Sequence, residues 1–300
     1  MLNDILLPRA HLKRDGAHHE ARITRVSEAL QANATYFSNP EWAQDYLTHC
    51  HRDGFFKERW IAAGGEWTGK VVVDLGCGPG NIFANLGGRP ALLIGVDVAA
   101  GSLDYAAELG YTTILADAAE VPLVAQCADI VAINASLHHC DDMEAVLVEA
   151  ARLVKPGGVL ITDHDPQRSA WDYKGVAKLL WGARLWLYRI TQHGFHKTGS
   201  QQYWGLKSEA HHKPGDGVSE ALYRKVLEPL GFQVRIHAHN HQVGAAALSG
   251  DTGPAQWKYR MGNLLSGRWP NASSSALSLM CIAKRAQARQ PPTSLEGPAL

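Results

Sequence analysis

The sequence predicts an α/β protein built on a doubly wound, mostly parallel sheet, and three observations carry that expectation. Short β-branched runs, apolar on both faces, recur along the chain; an amphipathic helical segment stands between two of them; and the first run ends in a glycine cluster. A strand covered by helices on both sides is apolar on both faces, whereas a half-exposed strand alternates. The first such run is 70–75 (KVVVDL), and similar runs follow at 91–96, 112–115, 130–134 and 159–162. Between the last two lies 141–155, with Met143, Val146, Leu147, Ala150 and Leu153 on one helical face. Asp141 or Asp142 is placed to cap its start and Gly157 to stop it. Strand, helix, strand in this order implies right-handed crossovers. Residues 218–230 read as another helix, followed by a strand over 232–239 and a last strand over 276–284.

Outside these runs the pattern changes. Residues 1–25 are polar, basic and unpatterned, and are expected to be flexible. Over 26–65 Val26, Leu30, Tyr36, Trp42, Tyr46 and Phe55 recur at helix-like intervals, broken at Ser38-Asn39-Pro40, which predicts a cap of short helices. The sheet-forming core then falls at 66–165 and 218–286, divided by an insertion over 166–217; a second irregular segment covers 241–275. Six of the nine tryptophans (Trp171, Trp181, Trp186, Trp204, Trp257 and Trp269) fall in these two segments, which therefore read as a substrate lid. The tail, 287–300, has the Pro/Ser/Gly composition of disorder.

Composition narrows the function classes. Apolar residues make up 46% and charged residues 19%, the latter below the usual share of roughly a quarter. Such a chain can bury a large core, which excludes a disordered, collagen-like or disulfide-scaffold protein. Lys+Arg and Asp+Glu each total 29, so no global charge draws the chain to nucleic acid, and no nucleic-acid partner is expected. The five cysteines are scattered without C-x-x-C spacing, which points to reduced thiols in the cytoplasm. No secretory leader and no membrane-spanning helix is expected.

The glycine cluster carries the chemistry. In Asp74-Leu75-Gly76-Cys77-Gly78-Pro79-Gly80-Asn81, Gly76 and Gly78 let the backbone approach a ligand closely, and a helix opening near Gly80 presents unpaired N–H groups. A nicotinamide dinucleotide site is the nearest competitor, but it has G-x-G-x-x-G, whereas the spacing here is G-x-G-x-G with an acidic residue ahead of it. The second strand ends at Asp97, 23 residues beyond Asp74, where a carboxylate can accept two ribose hydroxyls. The third delivers Asp117, 20 residues further on, placed to accept an adenine amino proton. One Asp at a strand end is usually a turn or cap residue; three, beside the glycines, at the carboxyl edge of one sheet point to a bound cofactor.

These residues give the chain a clear resemblance to class I S-adenosylmethionine-dependent methyltransferases, in the broad group that includes ubiquinone/menaquinone-biosynthesis enzymes. It rests on VVVDLGCGPG (71–80), LIGVDVAAGSL (93–103), ILADAAEVPL (114–123), ADIVAINASLHHCDD (128–142) and LVKPGGVLITD (153–163). The resemblance implies a Rossmann-like, seven-stranded sheet and S-adenosylmethionine as cofactor. It also implies that Asp74, Gly76 and Gly78 line the methionine part, Asp97 holds the ribose and Val98 lies beside the adenine. Asp117 and Ala118 would address the adenine edge, and Asn134 would lie under the sulfonium. None of these motifs specifies the acceptor.

Methyl transfer to a hydroxyl needs a positioned nucleophile and a proton acceptor, and histidine suits the second task. His138 and His139 leave the fourth strand and His164 the fifth, so all three are candidates for a base or a substrate-orienting group. The plainer reading is that the Leu137-His138-His139 stretch starts and packs a helix. His237, His239 and His241 alternate onto one face of a strand, as a metal site or, more simply, as a polar strand end; no metal is assigned. On a helical wheel over 168–190, Val176, Leu179, Leu180, Ala183, Trp186, Leu187 and Ile190 share one face. Lys174, Lys178, Arg184 and Arg189 lie opposite, with Trp181 and Leu185. Such a helix is ordinarily packed on the core by its apolar face; peripheral contact with a membrane surface is the sharper reading. The expected activity is transfer of a methyl group to a small or medium, aromatic or lipophilic molecule, with oxygen the preferred acceptor atom. A nicotinamide-dependent oxidoreductase and a catalytically silent, cofactor-binding partner subunit stand as alternatives, and the oligomeric state is left open.

Overall fold

A computed structural model of the chain describes residues 2–8, 12–191 and 198–287. Its centre is one sheet of strands β1 (Lys13–Asp15), β2 (His18–Glu20), β3 (Val71–Leu75), β4 (Leu92–Asp97), β5 (Thr112–Leu115), β6 (Ala128–Asn134), β7 (Val154–Asp163), β8 (Phe232–His239) and β9 (Ser278–Arg285). Their order is β1-β2-β5-β4-β3-β6-β7-β9-β8. The strands β5-β4-β3-β6-β7 run parallel, and β9 pairs antiparallel with both β7 and β8. The chain winds outward from β3 in one direction to β5, then returns to build β6 on the other side. This reversal opens a crevice at the carboxyl ends of β3, β4 and β6.

All seven strands expected from the apolar runs are present, and the reason for their continuity is visible. Val73, Leu75, Ile94, Val131 and Ile133 enter one buried cluster, while Val72, Leu93, Ile130 and Ala132 enter a second on the opposite face. Two further strands correct the seven-strand count. Residues 13–20, expected to be flexible, form a hairpin across Gly16 (φ +56°), and β2 joins the sheet beside β5 through His19 and Glu20. Strands of three residues are too short to show a hydrophobic period, although Asp15-Gly16 is a recognised hairpin dipeptide.

The cap consists of α1 (Glu28–Phe37), α2 (Pro40–His49) and α3 (Gly54–Gly64), with the side chains of Ser27, Asn39 and Asp53 capping their starts. Helices α4 (Asn81–Leu86), α5 (Ala100–Glu108) and α6 (Met143–Leu153) follow the strands. Asp142, not Asp141, caps α6, accepting from the Ala145 amide. Gly157 does not stop it: Val154 is already extended, because a residue two ahead of Pro156 is followed by one barred from helical geometry, and Gly157 lies within β7.

The insertion 166–217 contains α7 (Gly175–Thr191) and α8 (Gly199–Ser208); α9 (Glu220–Leu227) follows, and α10 (Trp257–Leu265) lies in the second irregular segment. Here the wheel is corrected. The face holding Val176, Leu179, Leu180, Trp186, Leu187 and Ile190 is exposed, Leu179 to 75% and Trp186 to 68%. Trp181 turns inward, stacked on Trp171 at 5.9 Å, with Arg184 over its ring at 4.0 Å. A wheel shows which residues share a face; it does not say which face a neighbour covers. The side chains of Leu185 and Arg189, and the tail beyond 287, lie outside the described residues.

Candidate active site

A cavity of about 880 Å³ opens at the crevice and is lined by Asp74, Gly76, Gly78, Asp97, Val98, Asp117, Ala118 and Asn134. The same cavity extends to His138 and His139. The structure thus brings together all eight cofactor candidates and two of the three histidines. His164 does not line it. Its ring lies in a separate buried group, 4.4 Å from His51 and 4.3 Å from His241.

The loop geometry follows from the glycines. The Gly76 and Cys77 amides donate to the Val96 carbonyl at 2.7 and 3.2 Å, folding the loop over the end of β4. Gly76 has φ +66°, and a Cβ there would sit 2.5 Å from the Ser136 Cβ, so no larger residue fits. Asp97 braces the turn, accepting from the Gly78 amide at 2.8 Å and the Ala99 amide at 2.9 Å. Asp117 accepts from the Ala119 amide at 2.9 Å. Asp74 is fully buried; its Oδ2 accepts from Tyr111 Oη at 2.8 Å, while Oδ1 has no partner. Burial raises the Asp74 carboxyl to about 7, with Tyr111 pulling it down and Asp97 pushing it up. Asn134 Oδ1 is likewise buried without a partner. Buried acceptors without donors are costly, so both oxygens fit a ligand that brings N–H groups or positive charge. The amino-acid end and sulfonium of S-adenosylmethionine meet that requirement.

The other half of the cavity is aromatic and ionic. Trp42 stacks on Tyr46 at 4.7 Å, and Phe37 stands edge-on to Trp42 at 4.5 Å and to His139 at 5.0 Å. His138 and His139 form a single 3₁₀ turn after β6. Asp165 Oδ1 accepts from the His138 amide at 3.0 Å and from its Nδ1 at 2.8 Å, while Nε2 lies 3.4 Å from Glu209 Oε2. His139 donates from Nδ1 to the Ser208 carbonyl at 2.8 Å. His212, stacked on Trp171 at 4.3 Å, directs Nδ1 at the same Glu209 oxygen. Burial alone would lower His138, but the carboxylates of Asp165 and Glu209 outweigh it and raise the imidazole to about 9. Burial and the neighbouring His138 hold His139 down, to about 3.

Behind this wall Asp163 accepts from Arg59 Nε at 3.0 Å, Trp60 Nε1 at 3.1 Å and His239 Nε2 at 2.7 Å. The row His237, His239 and His241 does not converge: His239 is spent on Asp163, and His241 turns at φ +72° to meet Ser278 Oγ at 2.7 Å. Sequence reasoning missed Tyr111, Tyr46, Asp165, Glu209 and His212. Asp165 adjoins the quoted His164, but only the fold brings Glu209 to His138.

Comparison with known proteins places this geometry. Residues 73–162 match the methyltransferase domain family. The chain is 35% identical over 136 residues to a malonyl-[acyl-carrier protein] O-methyltransferase of Yersinia pestis, covering 44% of this chain and 49% of that protein. It is 30% identical over 117 residues to a demethylmenaquinone methyltransferase of Thermobifida fusca, covering 37% and 50% respectively. The matches therefore span about half the length of these curated relatives. The fold is shared with a Haemonchus contortus phosphoethanolamine N-methyltransferase solved with S-adenosylhomocysteine: TM-score 0.52, 13% identity, covering 88% of this chain and 61% of that one. Residues 73–162 thus match a methyltransferase domain, and the nicotinamide alternative gains no support.

Proposed function

We propose that the protein transfers a methyl group from S-adenosylmethionine to a small or medium, aromatic or lipophilic acceptor, at oxygen by preference. The observation that carries this is the continuity of one cavity from the buried Asp74 and Asn134 oxygens to the aromatic wall and His138–His139. The cofactor, when bound, would supply a methyl carbon on a sulfonium for transfer to the acceptor oxygen, with the C–S bonding pair left on sulfur and the hydroxyl proton passing to solvent. Asp74, Gly76 and Gly78 hold the methionine end, Asp97 the ribose, Val98, Asp117 and Ala118 the adenine, and Asn134 the region of the sulfonium. Trp42, Tyr46 and Phe37 exclude water and hold an apolar acceptor, while His138 and His139 orient its oxygen. Positioning of this kind is worth up to roughly 7–11 kcal/mol. O-methyltransferases among the similar proteins favour oxygen. His164, out of the cavity, is left out of this assignment.

The five cysteines are all unpaired, which supports a reducing, cytoplasmic setting. We further propose that α7 and α10 rest on an anionic lipid surface. Their exposed apolar side chains are joined by exposed Lys174, Lys178, Lys258 and Arg260. No Asp or Glu occurs between Asp172 and Glu209, or between Asp251 and Arg285.

Calorimetry with S-adenosylhomocysteine, followed by mass spectrometry of extract-fed reactions for a methylated product, tests the reading. Heat and product are expected. Heat with a nicotinamide nucleotide and none with S-adenosylhomocysteine would overturn it; cofactor binding without turnover on any extract would favour a silent partner subunit.

A further inference from the structure

We propose that His138, His139 and Glu209 hold one divalent transition-metal cation in the acceptor half of the cavity. One ligand atom from each of the three lies within 4.8 Å of the others. Both imidazoles are anchored by the nitrogen that a metal would not use. Asp165 Oδ1 receives His138 Nδ1 at 2.8 Å, and the Ser208 carbonyl receives His139 Nδ1 at 2.8 Å. With Nδ1 of each spent on these acceptors, Nε2 is the nitrogen left for a cation, which takes the place of the proton His138 otherwise shares with Glu209; a carboxylate or carbonyl behind a histidine orients metal ligands and raises their basicity. His212 steadies the third ligand, meeting Glu209 at Oε2, which leaves Oε1 of that carboxylate for the cation.

Two histidines and a glutamate are a three-ligand set that leaves a tetrahedral position open, as catalytic zinc sites do. Imidazole donors favour zinc and its first-row neighbours over magnesium or calcium. The same cavity is lined by Phe37 and Trp42, where the acceptor is placed. On the methyl-transfer reading, on which this use of the site rests, the cation would fix the acceptor oxygen and favour loss of its proton. Neither His239 nor His241 offers an equivalent, since Asp163 and Ser278 occupy them.

The test uses the full chain, stripped with a chelator and titrated with Co²⁺. One equivalent is expected to bind with the intense visible absorption of four-coordinate cobalt, and Zn²⁺ to displace it. His139→Asn and Glu209→Gln are expected to abolish the band, and Asp165→Asn to weaken binding by about 10–100-fold. Thermal melting checks that each variant is folded. S-adenosylhomocysteine calorimetry on the same wild-type sample separates the two proposals. Heat with no cobalt band overturns the metal site and leaves methyl transfer standing. A cobalt band without heat does the reverse. A band that survives in both ligand variants overturns the site.

Discussion

Asp97 and Asp74 are both strand-end carboxylates, yet they hold different positions energetically. Asp97 is satisfied by the Gly78 amide of the glycine turn and by the Ala99 amide just after β4, so its remaining lone pairs are free for a diol. Asp97→Ala is expected to weaken S-adenosylhomocysteine binding by about 1–3 kcal/mol in calorimetry, because both the turn and the ribose lose a partner. Unchanged affinity would mean that the ribose lies elsewhere. Asp74 is instead under-satisfied and protonates near neutrality. A carboxyl whose folded value is raised stabilises the fold fully below the ordinary carboxylate range, and that contribution is lost as pH rises through about 7. A cationic ligand group at Oδ1 reverses the preference, since it favours the ionised form. Cofactor affinity should therefore rise with pH through about 7 and then level off, a profile that Asp74→Asn should flatten. The groups facing Asp74 are Tyr111, Asp97, Cys77 and Tyr46. Of these, Tyr46, Cys77 and Tyr111 are shifted well above their ordinary values and stay neutral there.

At the level of elements, what could be read from the sequence depended on whether a segment's burial was dictated locally. Strands β3, β4 and β6 were legible because both of their faces are covered, so nearly every position is apolar. The Asp positions followed, since Asp97 ends β4 while Asp74 and Asp117 stand within two residues of the ends of β3 and β5, at the carboxyl edge of the sheet. The short hairpin, the outward turn of α7 and the meeting of Glu209 with His138 were not, because each is decided by distant partners. The same holds for the anchor of α3. Arg59, completely buried, pairs with Asp163 and also donates to the His241 and Val243 carbonyls, tying the cap to β7 and to the loop after β8. Its removal strands a buried carboxylate, so Arg59→Ala is expected to cost about 3–5 kcal/mol in denaturant unfolding. A loss below 1 kcal/mol would show that His239 and Trp60 suffice to hold Asp163.

Across the whole molecule, the net charge of zero conceals a division of surfaces. Trp186 and Trp257 are 68% and 77% exposed on two helices that are distant in sequence and packed together, and Leu179, Leu264 and Trp269 extend the same character. Among the described residues no helix is long and apolar enough to cross a membrane, so such a face can rest on a bilayer but not enter it as a span. Each lysine or arginine near an anionic surface contributes about 1 kcal/mol, screened within a Debye length. Binding to anionic vesicles should therefore be measurable by co-sedimentation, weaken with added salt, and largely vanish on neutral vesicles. Replacing Trp186 and Trp257 together by Ser should lower it further without changing S-adenosylhomocysteine heat, because neither lines the cavity. Binding that ignores vesicle charge, or survives the double replacement, would remove the lipid assignment. A concentration-dependent dimer lost in the same variant would assign the face to a second copy of the chain instead.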